Sequence, residues 1–293
     1  MRLVPVYRPR ASALHSARAS VGVGFCAALA LVPLLYTHPL VLAAGLAATV
    51  GAGLAARVGG EMAAAARLAV PLAVLVTVIN PLVYHEGNTL LVRGPVLLGQ
   101  RFDVTLEAIA FGAVAGLRVL VLIMVFGLFS ACVDPDEVLR LFRRVSYRSA
   151  LTTGVATRLV PVLARDATRM GDAARCRAVP ARRAAVARAA LSGALDRSVD
   201  VAAALEVRGY AHAARARAAR APVSRHDLRV GGAALVLALS VAGAAAAGAG
   251  TFDPYPAVSA PVGPLDAVLC ALLPLAAVAP LAGRPARLGV AHA

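Results

Sequence analysis

Two arginines in this chain are notable for the residues that follow them. Arg177 is followed by Ala178 and Arg208 by Gly209, and the two arginines lie 31 residues apart. A guanidinium beside a residue with little or no side chain lets another backbone come close while it binds a carboxylate or carbonyl oxygens in fork geometry. The pattern predicts two docking points for a partner. Arg208 also has a purely structural interpretation, because a cation near a helix C-terminus interacts favourably with the helix dipole.

Both arginines lie in a basic block, residues 133–229, which holds 19 of the chain's 30 basic residues and nine acidic ones. Asp134 followed by Pro135 is typical of a helix start. A second helix is predicted at about 148–178, and a third at about 182–208 with Gly209 just past its end. The second helix has one apolar stripe, interrupted by Asp166. The third predicted helix has Leu191, Leu195, Val199, Ala202 and Leu205 on one face.

The composition places this block in a membrane protein. The chain has 293 residues, 60% of them hydrophobic, and a mean hydropathy of +0.76, which is too apolar for an ordinary soluble domain. We therefore predict an all-α polytopic membrane protein with about six transmembrane helices and a helical cytoplasmic domain between spans four and five. The apolar segments lie at about 20–36, 39–57, 68–84, 105–131, 230–248 and 265–282.

The arginine distribution predicts the orientation. The N-terminal arm, the turn at 57–67 and the block at 133–229 are rich in arginine, whereas the loop at 251–264 has none. By the positive-inside rule, both termini and the block lie in the cytoplasm and the chain is a multi-pass protein of the bacterial plasma membrane. The predicted domains are a four-span region at 1–132, the arginine-rich block at 133–229 and a two-span region at 230–293.

Three polar residues in the predicted spans are of particular interest. Arg118 is in the middle of the fourth span, and Glu107 lies near the same face of that helix. An intramembrane charge is a functional candidate by default, and a structural pair or a polar anchor between helices is the alternative. Asn80 precedes Pro81 near the outer end of the third span, where a break in the helix is favoured over a ligand site.

Several functional classes are disfavoured. The net charge is +15, but aromatic residues make up only 4% and the arginines alternate with Ala and Val, so basic membrane loops explain the charge better than nucleic-acid binding. The four cysteines are far apart, which favours reduced, structural thiols. We find no Walker-type phosphate loop, no Gly-x-Ser-x-Gly and no cluster of metal ligands. We therefore expect no enzyme activity, no cofactor and no metal site.

Three motifs resemble a known family, the transmembrane coupling subunit (T component) of energy-coupling-factor (ECF) importers. They are Arg158-Leu-Val-Pro-Val-Leu163, Ala173-Ala-Arg-Cys-Arg-Ala178 and Ala204-Leu-Glu-Val-Arg-Gly-Tyr210. The upstream Asn80-Pro-Leu-Val83 and Asp134-Pro-Asp-Glu-Val-Leu139 are similar to further family landmarks, as is Arg118. The resemblance covers about residues 68–212.

The resemblance implies a non-enzymatic scaffold that links two ABC-type ATPase subunits to a small substrate-capture membrane protein (S component) for vitamin or transition-metal uptake. In the family, an Ala-Arg-Gly triplet at each coupling-helix end docks into an ATPase. The corresponding triplets here are Cys176-Arg177-Ala178 and Val207-Arg208-Gly209. Two alternatives are the permease of a conventional ABC importer, which the long helical block argues against, and a membrane-bound enzyme, for which catalytic residues are missing.

Overall fold

The computed structural model describes residues 7, 9–83, 89–92, 96–97, 100–101, 104–142, 147–176, 183–209, 224–252, 259 and 261–282. Within these residues the chain is almost entirely helical, as predicted. The helices are α1 (Ala13–Ser16), α2 (Ala19–Leu35), α3 (Pro39–Ala55), α4 (Gly59–Val83), α5 (Leu106–Cys132), α6 (Pro135–Phe142), α7 (Tyr147–Arg175), α8 (Arg183–Val207), α9 (Arg225–Ala246) and α10 (Pro264–Val278).

The chain divides into two compact units. The first, which we call the membrane unit, comprises Met1–Val138 and Val223–Ala293; the second, the helical insert, comprises Leu139–Pro222. The insert thus interrupts the membrane unit and is joined to it by two chain connections. The predicted boundaries at 132/133 and 229/230 were placed where the chain is expected to leave and re-enter the membrane, whereas the two units are defined by how compactly their residues pack. The three-part division stays a prediction.

Each of the six predicted apolar segments contains a helix. Three helical stretches are long and apolar enough to cross a membrane: Gly59–Pro81, Leu106–Cys132 and Arg225–Ala246. The helices α2, α3 and α10 are apolar but shorter. An all-α membrane protein is therefore confirmed, while the number of helices that cross stays a prediction.

α2 lies in the core of the membrane unit. This helix packs against α9, α5 and α3, and its Phe25, Leu29 and Val32 are fully buried. α3 packs in turn on α10 and α5. α2 and α3 are joined by a tight connection at Thr37-His38, as predicted, and the buried His38 ring accepts a hydrogen bond from the Leu40 amide.

α4 packs mainly on α5, where small residues allow close approach of the two backbones. A methyl group at Gly112 would lie 2.8 Å from the carbonyl oxygen of Thr77, and one at Gly116 would lie 2.7 Å from that of Ala73. The rest of α4 presents its apolar side chains outward, as a lipid-facing helix does. Its exposed apolar residues are Leu68, Val70, Leu72, Val74, Leu75, Val78 and Ile79.

The segment that precedes α5 contains short strands that the sequence analysis did not predict. β1 (Leu90–Val92) pairs antiparallel with β4 (Val104–Thr105), and β2 (Val96–Leu97) pairs antiparallel with β3 (Gln100–Arg101). These segments are rich in Val and Leu, and β-branched residues favour extended backbone. The strands are too short to produce the alternating pattern from which a strand is recognised in a sequence.

Candidate functional site

The C-terminus of α8 presents the second predicted triplet to solvent. The helix ends at Val207, whose side chain is 90% exposed, and Arg208 is also exposed. Gly209 has φ +73° and its amide donates to the Glu206 carbonyl at 2.8 Å, which closes the helix end as the sequence predicts. Among the described residues, no atom lies within 4 Å of where a Cβ of Gly209 would stand. Another backbone can therefore approach the chain here beside the exposed guanidinium of Arg208.

Only part of the first triplet belongs to the described residues. α7 ends at Arg175, which forms an ion pair with Asp172 at 3.1 Å, and the thiol of the next residue, Cys176, is exposed. Arg177 and Ala178 lie outside the described residues. The role predicted for the Cys176-Arg177-Ala178 triplet therefore stays a prediction.

An ion pair braces the two long helices of the insert. Asp166 of α7 lies 2.9 Å from a guanidinium nitrogen of Arg197 on α8. Asp166 interrupts the apolar stripe of its helix in the sequence, and this contact explains why. A carboxylate that faces a neighbouring helix is favourable where it has a cationic partner. The pair joins α7 to α8 within the insert.

The apolar face predicted for α8 is turned outward. Leu191, Leu195 and Val199 are 65%, 67% and 66% exposed, although they repeat at the four-residue spacing of a buried helix face. Ala202 is exposed as well, and Leu205 is half-buried. Contiguous exposed apolar residues mark interaction sites on a protein surface. The face is thus available to a partner of the insert.

Arg118 and Glu107 are both held by polar contacts in the membrane unit, but by different ones. Arg118 donates from Nη2 to the carbonyl oxygen of Tyr36 at 3.1 Å. Glu107, only 1% exposed, accepts from the Thr89 hydroxyl at 2.5 Å and from the Thr89 amide at 3.2 Å. These two described residues form no ion pair with each other, so each acts as a separate polar anchor on α5.

The Asn80 side chain forms a hydrogen bond with the backbone of its own helix. Its side-chain amide donates to the Val76 carbonyl at 2.8 Å, and α4 continues through Pro81 to Val83. Pro81 lacks an amide proton and cannot donate to the Thr77 carbonyl. The Asn80 side chain therefore forms a hydrogen bond within its own helix. The helix α4 ends at Val83, two residues beyond Pro81.

Contacts of the N-terminal arm were missed by the sequence analysis. Arg10 forms an ion pair with Glu61 at 2.5 Å and also donates to the Arg57 carbonyl, while Arg18 pairs with Asp227 at 3.3 Å. Arginines before a first span were interpreted only as an orientation signal. The sequence Ser224-Arg-His-Asp227 is a recognisable capping box that predicts the start of a helix. It does not reveal that Asp227 also pairs with Arg18, which is distant in sequence.

Tyr7 extends these contacts toward α6. Its ring stacks on His15, with centroids 5.9 Å apart. Burial raises the pKa of the Tyr7 phenol, and the nearby carboxylates of Asp134 and Glu137 raise it further. The phenol thus remains protonated at physiological pH and the arm adds no negative charge beside the two acids.

Comparison with known proteins places these features in a family. The family model described as cobalt transport protein (CbiQ) matches residues 11–218, which include α1–α8 and both arginine triplets. No curated protein matches the chain. The matched family is one of transport components and not of enzymes. With well over half of its length matched, the chain belongs to the cobalt transport protein family, the family of the membrane-embedded T components of ECF transporters.

Proposed function

We propose that this chain couples two ABC-type ATPase subunits to a small substrate-capture membrane protein in an ATP-driven importer. The observation that carries the proposal is the end of α8, where the exposed Val207 and Arg208 precede Gly209, which no other described residue crowds. An exposed arginine fork next to a glycine suits a groove that offers carboxylate or carbonyl oxygens. The Cys176-Arg177-Ala178 triplet would dock the second ATPase in the same way.

The exposed face of α8 is the proposed contact for the substrate-capture subunit. Full burial of a Leu or Val side chain contributes about 1.5–3 kcal/mol, so Leu191, Leu195 and Val199 together offer substantial binding energy to an apolar partner. A membrane protein whose cytoplasmic end is apolar fits this face. The ATPases, in contrast, would be held at the charged helix ends, so the two partner classes use different surfaces.

The proposed setting is the bacterial plasma membrane, with both termini and the insert in the cytoplasm. The arginine-rich composition of residues 133–229 supports this orientation. The cargo would be a transition-metal ion such as cobalt, or a vitamin, and the capture subunit would select it. The chain itself would act as a scaffold with no catalytic step of its own.

Co-purification tests the proposal. The tagged chain is expressed with candidate ATPase and capture subunits, and the complex is isolated in detergent. We expect Leu195→Asn to release the capture subunit while both ATPases remain bound, because only the apolar face changes. Asp200→Asn, an exposed substitution on another side of α8, is the matched control and should keep all subunits.

A different outcome would contradict the proposal. If the wild-type chain with its ATPases imports substrate from a soluble binding protein, with no membrane capture subunit present, the chain is a conventional ABC permease. If Leu195→Asn and Asp200→Asn retain the capture subunit equally, the apolar face is not its contact.

A further inference from the structure

The N-terminus of α2 holds two carboxylates from distant parts of the chain. The Arg18 amide donates to Asp227 Oδ1 at 2.7 Å, and the next amide, that of Ala19, donates to Glu137 Oε2 at 3.2 Å. The Arg18 guanidinium adds an ion pair to Asp227 Oδ2 at 3.3 Å. Two consecutive main-chain amides and one side chain thus bind two acids.

The local sequence of α2 explains why these acids come from elsewhere. Arg18 is the N-cap and makes no side-chain capping bond, and the first turn contains no acidic residue. The first amides of a helix lack acceptors within the helix, and the positive end of its dipole attracts anions. Glu137 and Asp227 supply the negatively charged acceptors that the first turn of α2 lacks.

These two acids stand next to the two connections of the helical insert. Glu137 precedes Val138, the last residue of the membrane unit before the insert, and Asp227 follows Val223, where the chain returns. Asp227 is 6% exposed and also accepts from the Ser224 amide at 2.9 Å, so it holds the returning chain firmly. Both connections of the insert are therefore tied to a single helix end.

We infer that the N-terminus of α2 is a positioning joint through which movement of the insert reaches the membrane helices. α2 packs against α9, α5 and α3 and contributes fully buried side chains, so a displacement of either connection would act directly on the core. The inference rests on the proposed coupling function. Arg18, Glu137 and Asp227 would act as positioning residues that touch neither substrate nor ATP.

Asp266 provides a matched comparison within the same molecule. It occupies the third position of α10, as Asp227 does in α9, and it also belongs to a capping box. It accepts from the Gly250 amide at 2.7 Å and from the Gly263 amide at 2.9 Å, and it is 4% exposed. Its two amide contacts match those of Asp227 in kind and length, but among the described contacts it has no counterpart of the ion pair between Arg18 and Asp227. Asp266 binds the chain just past the C-terminal end of α9, whereas Asp227 lies at the N-terminal end, next to the insert.

The test compares Asp227→Asn with Asp266→Asn, and Glu137→Gln with Asp136→Asn, in the complex reconstituted in vesicles. The readout is the number of substrate ions or molecules imported per ATP hydrolysed, measured on equal amounts of assembled complex. We expect Asp227→Asn and Glu137→Gln to lower this ratio by roughly fivefold or more, the size of a modest coupling energy. Asp266→Asn and Asp136→Asn should leave the ratio unchanged, even where thermal stability falls.

The two possible failures are distinguishable. If the wild-type complex does not assemble or does not import, the proposed function is wrong. If the wild type couples normally and Asp227→Asn and Asp266→Asn have equal ratios, the contacts at the start of α2 only stabilise the fold and the joint is refuted. Glu137→Gln removes the charge and replaces one oxygen with an NH2 group, but it keeps one acceptor oxygen for the Ala19 amide. It therefore provides a second variant for the comparison should Asp227→Asn fail to fold.

Discussion

The Arg118 guanidinium donates to the Tyr36 carbonyl at 3.1 Å, which links the middle of α5 to the end of α2. The Tyr36 side chain is fully buried, and its hydroxyl donates to the Val241 carbonyl in α9 at 2.6 Å. One residue thus joins three helices, with an intramembrane arginine as one of its partners. Arg118, which the sequence marks as a functional candidate because it is a charge within a predicted span, thus contacts the C-terminal end of α2.

Arg118→Ala should therefore destabilise the packing of α2 on α5 without preventing membrane insertion. Loss of a hydrogen bond to a charged group costs about 1.5–3 kcal/mol. We expect a lower melting temperature in detergent and less assembled transporter, with normal amounts of protein in the membrane. Arg67→Ala, at an exposed position of α4, is the control. Equal melting temperatures and transport for Arg118→Ala and wild type would show that the contact is incidental.

A second prediction concerns the close approach of α4 and α5. The methyl group in Gly116→Ala would meet the Ala73 carbonyl oxygen at 2.7 Å and the Thr77 side chain, so the helices must separate. Overpacking of this kind costs about 1–3 kcal/mol. The control is Gly24→Ala in α2, where no atom of the part of the chain that the structure describes lies within 4 Å of the new methyl group. Thermal unfolding should show a loss for Gly116→Ala only; similar curves for both variants would contradict the tight interface.

Local sequence patterns predicted most of the helices but not the long-range contacts. The helix predicted at 148–178 is Tyr147–Arg175, because its apolar stripe repeats at helical spacing. The pair of Arg18 and Asp227 joins residues 209 positions apart, and neither local sequence specifies the other. Periodicity also showed that Leu195 lies on an apolar face, but it does not reveal whether the chain itself covers that face.

The orientation can be checked by labelling from outside intact cells. Because the arginines predict that 251–264 is external and 133–229 is cytoplasmic, an impermeant maleimide should react with Ala257→Cys and not with Ala219→Cys. Both reporters are made in a Cys176→Ser background, since that native thiol is exposed. After the cells are permeabilised, Ala219→Cys should react too. Reaction of Ala219→Cys in intact cells would overturn the topology.

The last prediction concerns the docking arginines, Arg177 and Arg208. Arg208 is exposed beside Gly209, whereas the residue after Arg177 is Ala178, whose methyl group limits how closely a partner backbone can approach. Arg208→Ala should therefore impair ATP-driven uptake more than Arg177→Ala. Loss of one member of a charged pair at a partly buried interface costs about 2–5 kcal/mol, enough to uncouple ATP hydrolysis from transport.

Uptake into vesicles, measured together with ATPase binding, decides the outcome for these variants. The double variant Arg177→Ala/Arg208→Ala should lose uptake while it still inserts into the membrane. Arg165→Ala removes the same charge from an exposed position on α7, where the guanidinium bonds only to its own helix at the Pro161 carbonyl in the contacts described, and it should transport normally. Wild-type uptake by the double variant with both ATPases bound would exclude these arginines as the coupling contacts.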